Sequence, residues 1–318
     1  MDIGGTFTDF ILFDQLNKEF LSGKVSTTPG DLSKGVLNGL LQLADDFSLI
    51  DFCVHGTTAG LNAFLERKGA HLAVITTGGF RDIYEIARGN RPDMYNLHYH
   101  KPKPLVKRRD IFEIRERVLF DGRVAIPLEN NDLLELAGKI RSGGYDSLVV
   151  VLLHAYKNPV HEKRIREILS KELPGISISL SCEVAAEWRE YERTSTTVLN
   201  AYIAPIVEKY LSKLEENVRT KGMEEQLYIM RSNGGVMTAD VAKAHPIQTL
   251  LSGPVGGAVG GATLAREIGT GNLIGIDMGG TSFDVTMVVD YQADVANETN
   301  LEGFPVLTPM VNIHTIGA

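Results

Sequence analysis

The feature that most constrains this chain is a loop that occurs twice. Asp2-Ile-Gly-Gly-Thr-Phe-Thr-Asp9 and Asp277-Met-Gly-Gly-Thr-Ser-Phe-Asp284 agree at five of eight positions and begin 277 − 2 = 275 residues apart. Each copy runs into an apolar stretch of β-forming residues, Phe10 to Phe13 in the first and Val285 to Val289 in the second. Each therefore predicts two glycines and a threonine turning between strands, with an acid on either side. A single Asp-x-Gly-Gly-Thr is compatible with a plain β-turn. Two copies predict two halves built on one strand-turn-strand unit, and their chemistry suits a triphosphate. Glycines let backbone N–H groups approach phosphate oxygens, hydroxyls add donors, and carboxylates hold the Mg²⁺ that neutralises them.

Between the copies, strands, glycine turns and helices alternate, which predicts an α/β fold of two lobes with mixed sheets flanked by helices. Leu32, Val36, Leu40 and Leu43 fall at three- and four-residue intervals between Pro29 and Phe47, predicting an amphipathic helix that starts at the proline. Phe52 to His55 reads as a short strand entering Gly56-Thr57-Thr58, followed by a helix through Leu61, Phe64 and Leu65 that ends near Gly69. Leu72 to Ile75 is a strand with a similar Thr76-Thr77-Gly78-Gly79 ending, and Leu148–Leu153, Val160–Leu173 and Ile176–Leu180 read as a βαβ unit. Glu187 to Lys221 is the longest helical stretch, expected to kink or split at Pro205 and to connect the domains. Beyond it come the strand Leu227–Met230, the turn Ser232-Asn233-Gly234-Gly235 and a helix from Pro254. Strands near Leu273–Ile276 and Val285–Val289 and a buried strand Val311–Ile316 complete the chain. Gly253, Gly257 and Gly261 recur every fourth residue, which suits a smooth helix face for close packing.

Composition narrows the class. The 318 residues are 43% hydrophobic and 23% charged with a net charge of −8, which fits two folded domains and argues against a nucleic-acid partner. No apolar run of about 18 residues or export signal is visible, so no membrane span is expected. Cys53 and Cys182 show no paired spacing, which fits a reducing, cytoplasmic compartment. Lys101 to Arg109 holds five basic residues of nine around Pro102 and Pro104, a surface loop or an anion-binding one. No Gly-x₄-Gly-Lys-Ser/Thr loop occurs, and Gly253 to Gly261 does not give the dinucleotide pattern after a strand.

Taken in order, DIGGTFTD (2–9), HGTTAGLNAFLERKGA (55–70), ITTGGFRD (75–82), EYERTSTTVLNAYIAP (190–205), RSNGGVM (231–237), LSGPVGGAVGGA (251–262) and DMGGTSFD (277–284) cover essentially the whole chain. The paired loops look like the phosphate motifs of the actin, sugar-kinase and heat-shock-chaperone ATPase superfamily. The full set resembles the A subunit of the hydantoinase/oxoprolinase family, which includes N-methylhydantoinase, 5-oxoprolinase and subunits of acetone and acetophenone carboxylases. The resemblance implies an actin/ribonuclease-H-like architecture, with an N-terminal domain over 1–182 carrying the first loop and the start of the core domain over 183–318 carrying the second. The family pattern continues on both sides, so this chain is expected to be the N-terminal part of a longer protein.

The resemblance also implies a reaction: ATP-dependent ring opening of a cyclic amide such as hydantoin or 5-oxoproline by carbonyl phosphorylation, with a second, B-type subunit in a hetero-oligomer. Asp2 and Asp277 are then expected to hold Mg²⁺ or orient the attacking group. Gly4, Gly5, Thr6, Thr8, Gly279, Gly280 and Thr281 would contact ATP phosphates. Asp9 and Asp284 are further candidates, or turn caps. Substrate-side candidates are polar residues beside glycines at strand ends: His55, Thr57, Thr58 and Asn62; Arg193, Thr194, Ser195 and Asn200; Ser232 and Asn233. Thr57 equally suits a helix N-cap and His55 a structural histidine. Arg88 and Arg91 near Tyr95 would hold a substrate carboxylate, or stand exposed in a loop. The alternatives are a ketone carboxylase subunit, a small-molecule kinase of the same superfamily, and a nucleotide-gated binding protein that is not an enzyme.

Overall fold

The computed structural model describes residues 1–317 apart from 5, 29–30, 45, 90–92 and 279–281. The fold is mixed α/β, with several sheets flanked by helices in the ATPase architecture that the resemblance implies. The chain divides into two compact units, one of residues 1–67, 206–297 and 309–318, the other of 68–205 and 298–308. Among the described residues no helix is long and apolar enough to cross a membrane. Cys53 and Cys182 are free thiols.

The first unit is built on a six-stranded sheet. Strands β1 (Asp2–Ile3), β2 (Phe7–Asp14) and β3 (Glu19–Ser26) form an antiparallel meander. Strand β4 (Cys53–Thr57) then adds parallel to β1, and Leu227–Met230 adds parallel to β4. Helix α1 (Leu32–Leu40) covers the meander, and Gly39 is required there because a Cβ would stand 2.1 Å from Phe10 Cε2. The helix is shorter than the periodicity predicted. Asp31 caps it through the Lys34 N–H (3.4 Å), so it begins after Pro29, which lies outside the described residues.

A second antiparallel sheet in this unit joins Leu273–Met278, Ser282–Val289 and Gln292–Ala293, with Ile313–Gly317 on the other side of Ser282–Val289. The predicted strand Val311–Ile316 is interrupted at its start. The Val311 N–H donates to the Ser232 carbonyl (2.7 Å) and the Asn312 N–H to the Asp294 carbonyl (2.8 Å), so pairing with Ser282–Val289 begins at Ile313.

The second unit centres on a parallel sheet in the order Ser177–Leu180, Ser147–Val151, Leu72–Thr77, Ile111–Ile114. Leu148, Val149 and Val150 are fully buried, as expected for a strand covered on both faces, and Leu133, Ile140, Ile165 and Leu169 of the flanking helices fill one face. The central strand stops at Val151, before the predicted Leu153. The Leu152 N–H is taken by Glu162 Oε1 (2.8 Å) and the Leu153 N–H by Thr77 Oγ1 (2.9 Å), which removes both from the ladder.

The long helix is not split in two at Pro205. Glu190–Arg219 is one continuous helix with Pro205 inside it. Proline removes only the N–H that the Ala201 carbonyl would accept, and the boundary between the compact units falls at residue 205/206 of this helix.

Candidate functional site

The strands that flank the two repeated loops pair in the same register. In the first hairpin Asp2 pairs with Asp9 and Ile3 with Thr8; in the second Asp277 pairs with Asp284 and Met278 with Phe283. Each hairpin thus carries its leading and closing acids on one rung, two residues before and after the turn begins to close. Gly4 donates its N–H to the Phe7 carbonyl (2.9 Å). Thr27, which the sequence reading missed, ties the loop down from β3's end: its N–H donates to the Thr6 carbonyl (2.9 Å) and its hydroxyl to the Gly4 carbonyl (2.9 Å). Thr6 is exposed, whereas Thr8 is buried with its hydroxyl 3.3 Å from that of Thr27. Gly5, Gly279, Gly280 and Thr281 lie outside the described residues.

Asp2 occupies a cradle made by two glycines. A Cβ on Gly56 would stand 2.9 Å from Asp2 Oδ1, and one on Gly253 would stand 3.0 Å from Oδ1 and 3.4 Å from Oδ2. Oδ1 is buried and accepts no hydrogen bond from the protein among the described residues. Burial, opposed by the N-terminal amine and reinforced by the charges of Asp9 and Asp277, holds the Asp2 carboxyl above its usual range. The two leading aspartates of the repeat therefore feel each other.

Gly253 brings more than space, because it is the second residue of the helix Ser252–Glu267. The sequence reading began that helix at Pro254 and so overlooked its first turn. Leu251, ahead of it, has φ 62°, a left-handed conformation that costs a non-glycine residue energy and that surrounding contacts must hold. Two sets of bonds do so. Ser252 Oγ donates to the Thr57 carbonyl (2.9 Å) and accepts from the Thr57 N–H (3.0 Å), locking the helix start to the end of β4. Ser232 donates its hydroxyl to the carbonyls of Gln248 (2.8 Å) and Leu250. The N-terminus of a 16-residue helix, with its free N–H groups and positive dipole end, thus meets the Asp2 carboxylate. Of the three glycines spaced by four, Gly253 serves this cradle, a Cβ on Gly261 would stand 3.5 Å from Leu273 and Val288, and Gly257 faces open space.

The remaining candidates of the first unit are tied into the same strand ends. Thr58 (the residue before helix Ala59–Leu65) donates to the Ile3 carbonyl (2.9 Å) and accepts from Asn62 Nδ2 (3.3 Å), while the buried Thr57 hydroxyl accepts from the Ala59 N–H (3.2 Å). His55 is fully buried, its Nε2 2.7 Å from the Tyr210 hydroxyl. Burial first, then the N-terminal amine, pushes its pKa down to about 3, so the ring is neutral. Asn233 accepts the Gly235 N–H (3.1 Å) within its turn, where glycine is required at 234 because φ is 91° and a Cβ would press on Val259 at 2.9 Å.

Arg193 and Thr194 belong to the second unit. Arg193 is 1% exposed, donates from Nη2 to the Leu152 carbonyl (2.8 Å), stands 5.5 Å over the Tyr156 ring, and leaves Nε and Nη1 unpartnered. Burial lowers its pKa from the usual arginine value, against the pull of Glu162. Thr194 donates to the Glu190 carbonyl (2.6 Å) one turn back. Arg88 is engaged: Nε and Nη2 grip Glu192 at 2.8 and 2.6 Å, so its fork does not stand free for a substrate carboxylate; Arg91 lies outside the described residues. A buried set that sequence spacing did not suggest closes the strand ends here, with His161 Nδ1 2.6 Å from Glu116 Oε2 and Glu116 accepting the Thr77 hydroxyl.

Among the described residues no three acidic, histidine or cysteine side chains gather as a ready cation site. Mg²⁺ does not require that, since it is commonly held by one or two carboxylates plus substrate phosphates and waters. Asp2, with its orphaned buried oxygen, and Asp277 fit this pattern.

The family model of the hydantoinase/oxoprolinase N-terminal region matches residues 1–173, and that of hydantoinase/oxoprolinase matches 193–318. An uncharacterized protein of Methanocaldococcus jannaschii is 37% identical over 100% of this chain and 49% of its own length. The caprolactamase subunit alpha of Pseudomonas jessenii is 31% identical over 100% of this chain and 47% of its own. Nucleotide-free acetone carboxylase, solved in work on ATP-dependent acetone carboxylation, superposes with a TM-score of 0.89 at 29% identity, covering 100% of this chain and 47% of that one. The chain spans about half the length of these relatives. It belongs to the hydantoinase/oxoprolinase family.

Proposed function

We propose that this chain carries the phosphate-binding part of an ATP-dependent enzyme that opens a cyclic amide, such as hydantoin or 5-oxoproline, in company with a B-type partner subunit. The observation that carries this reading is the pair of hairpins in identical register, the first placing the buried Asp2 carboxylate against the first turn of helix Ser252–Glu267. Asp2 and Asp277 would hold Mg²⁺, which supplies charge neutralisation at the phosphates. Thr6 and the first turn of helix Ser252–Glu267 offer backbone donors to phosphate oxygens, with Gly5, Gly279, Gly280 and Thr281 in the same role by sequence, whereas the Gly4 N–H is taken by the Phe7 carbonyl and Gly4 shapes the turn. Transfer of the γ-phosphoryl group to the carbonyl oxygen, with ADP leaving, turns a poor electrophile into one that water attacks at carbon, expelling phosphate. The protein's contribution is positioning and electrostatics.

Ketone carboxylation is the second reading, favoured by the structural likeness to acetone carboxylase, and it begins with the same kind of carbonyl activation. A partner subunit is supported by the relatives, since the caprolactamase match is itself named as a subunit. The test is calorimetry of Mg·ATP on this chain and on a chain extended to the length of the relatives, each with Asp277→Ala as control. Binding abolished by the substitution supports the reading. Absence of binding to either chain, or equal binding by Asp277→Ala, reduces the repeated loops to structural turns.

A further inference from the structure

The first repeated loop is gripped by the residue that follows β3. Gly4 has both of its backbone polar groups engaged: its N–H donates to the Phe7 carbonyl (2.9 Å), and its carbonyl accepts the Thr27 hydroxyl (2.9 Å). The Thr6 carbonyl accepts the Thr27 N–H (2.9 Å). One residue thus holds two carbonyls of the loop, one with its backbone and one with its side chain. The strand register puts it there, because pairing of Phe7 with Ser26 and of Thr8 with Val25 sets Thr27 opposite Thr6, one step beyond the last rung. The Thr6 N–H, by contrast, meets no acceptor among the described residues.

The hydroxyl hydrogens fix the direction of these bonds. A threonine hydroxyl carries a single hydrogen and a backbone carbonyl can only accept, so the Thr27 hydrogen goes to Gly4. The Thr8 hydroxyl lies 3.3 Å from that of Thr27, and the hydrogen between them is therefore the one on Thr8. Thr8 is 1% exposed, and its only side-chain donor is committed to Thr27. The result is a chain of donors, from Thr8 to Thr27 to Gly4, in which each bond strengthens the next. Its effect on an anion is direct. A carbonyl oxygen turned toward a phosphate repels it and a backbone N–H attracts it. Thr27 keeps the Gly4 and Thr6 carbonyls on itself and leaves the Thr6 N–H uncommitted.

We propose that Thr27 is a positioning residue of the phosphate site, acting through the Gly4 and Thr6 carbonyls, and that Thr8 supports Thr27 instead of contacting phosphate itself. The inference rests on the function proposed above and deepens it: the first loop is set for the anion before nucleotide arrives, so that binding carries little cost of ordering. The test is calorimetric titration of Mg·ATP with thermal melting, on this chain and on the extended one. Thr27→Val keeps the shape and the N–H but removes the hydroxyl, and affinity is expected to fall about tenfold while the melting temperature moves by only a few degrees. Thr27→Ser restores the hydroxyl and is expected to bind within about twofold of the parent. Thr8→Val leaves the bond from Thr27 to Gly4 in place and is expected to cost no more than about threefold. Thr27→Ala reads the same loss should valine disturb the fold. Parental affinity in Thr27→Val or Thr27→Ala, a loss that Thr27→Ser does not recover, or a loss in Thr8→Val as large as that in Thr27→Val overturns the inference. The two readings fail separately. A parent that binds Mg·ATP, loses it in Asp277→Ala and is indifferent to Thr27→Val refutes this inference alone, whereas parents that bind no Mg·ATP refute the proposed function and this inference with it.

Discussion

Replacing Gly56 by alanine separates a ligand-binding role of the Asp2 cradle from a structural one. The added Cβ would stand 2.9 Å from Asp2 Oδ1 and 3.5 Å from the Ser252 carbonyl oxygen. Ordinary contact begins near 3.4 Å, so the carboxylate must retreat by about 3.4 − 2.9 = 0.5 Å, while the Ser252 carbonyl need not move. The retreat is cheap for the fold. Turning a terminal carboxylate off its preferred angle costs about 0.5–1.5 kcal/mol. Alanine in place of a strand glycine returns roughly 0.5–1 kcal/mol by restricting the unfolded chain. Folding stability should therefore stay within about 1 kcal/mol of the parent. The Asp2 oxygen that is meant to meet the cation is displaced, and Mg·ATP affinity should fall at least about tenfold, equivalent to about 1.4 kcal/mol. Calorimetric titration alongside urea denaturation reads both quantities. Gly138→Ala is the control, since that helix glycine faces open space and its replacement should leave ATP affinity unchanged. Unaltered affinity in Gly56→Ala, or a loss that merely follows loss of folded protein, would refute the reasoning.

Two further outcomes follow from the same unit. His55 has a folded pKa of about 3 against a reference value of 6.5, so between those values the unfolded chain binds the proton and stability rises with pH. The stabilisation is complete above 6.5 and lost as pH falls below it, by about 1.4 kcal/mol per unit; His55→Gln should flatten urea midpoints between pH 7.5 and 5.5, and parallel profiles for the two proteins would contradict this. Ser252→Ala leaves the buried N–H and carbonyl of Thr57 without their partner, which should cost about 1–3 kcal/mol; an unchanged urea midpoint would show that the helix start is held otherwise.

Much of the architecture is legible one element at a time. The strand Leu227–Met230 has the bounds its apolar run predicts, and Val160–Glu172 ends one residue from the expected helix end. Both depend on local periodicity and on nearby helix or strand breakers. Errors arise where a side chain or carbonyl from another element takes a backbone N–H. Glu162 and Thr77 end the central parallel strand early, and Ser232 and Asp294 delay the last strand. Pro205 stays within one helix although proline is locally unfavourable there.

By itself the sequence determined the repeat, and with it two hairpins of one register, because a turn of two glycines and a threonine between β-forming runs is specified by its own residues. It also determined the family and the alternation of α and β elements. Only the tertiary structure decided what surrounds the first acid. Gly56 and Gly253 lie 197 residues apart in the chain and become neighbours through the Ser252–Thr57 bonds. Likewise, the fork of Arg88 is filled by Glu192, 104 residues away. Local propensity acts over a few residues, whereas burial of a carboxylate and satisfaction of a guanidinium depend on which distant segments the packed core brings together.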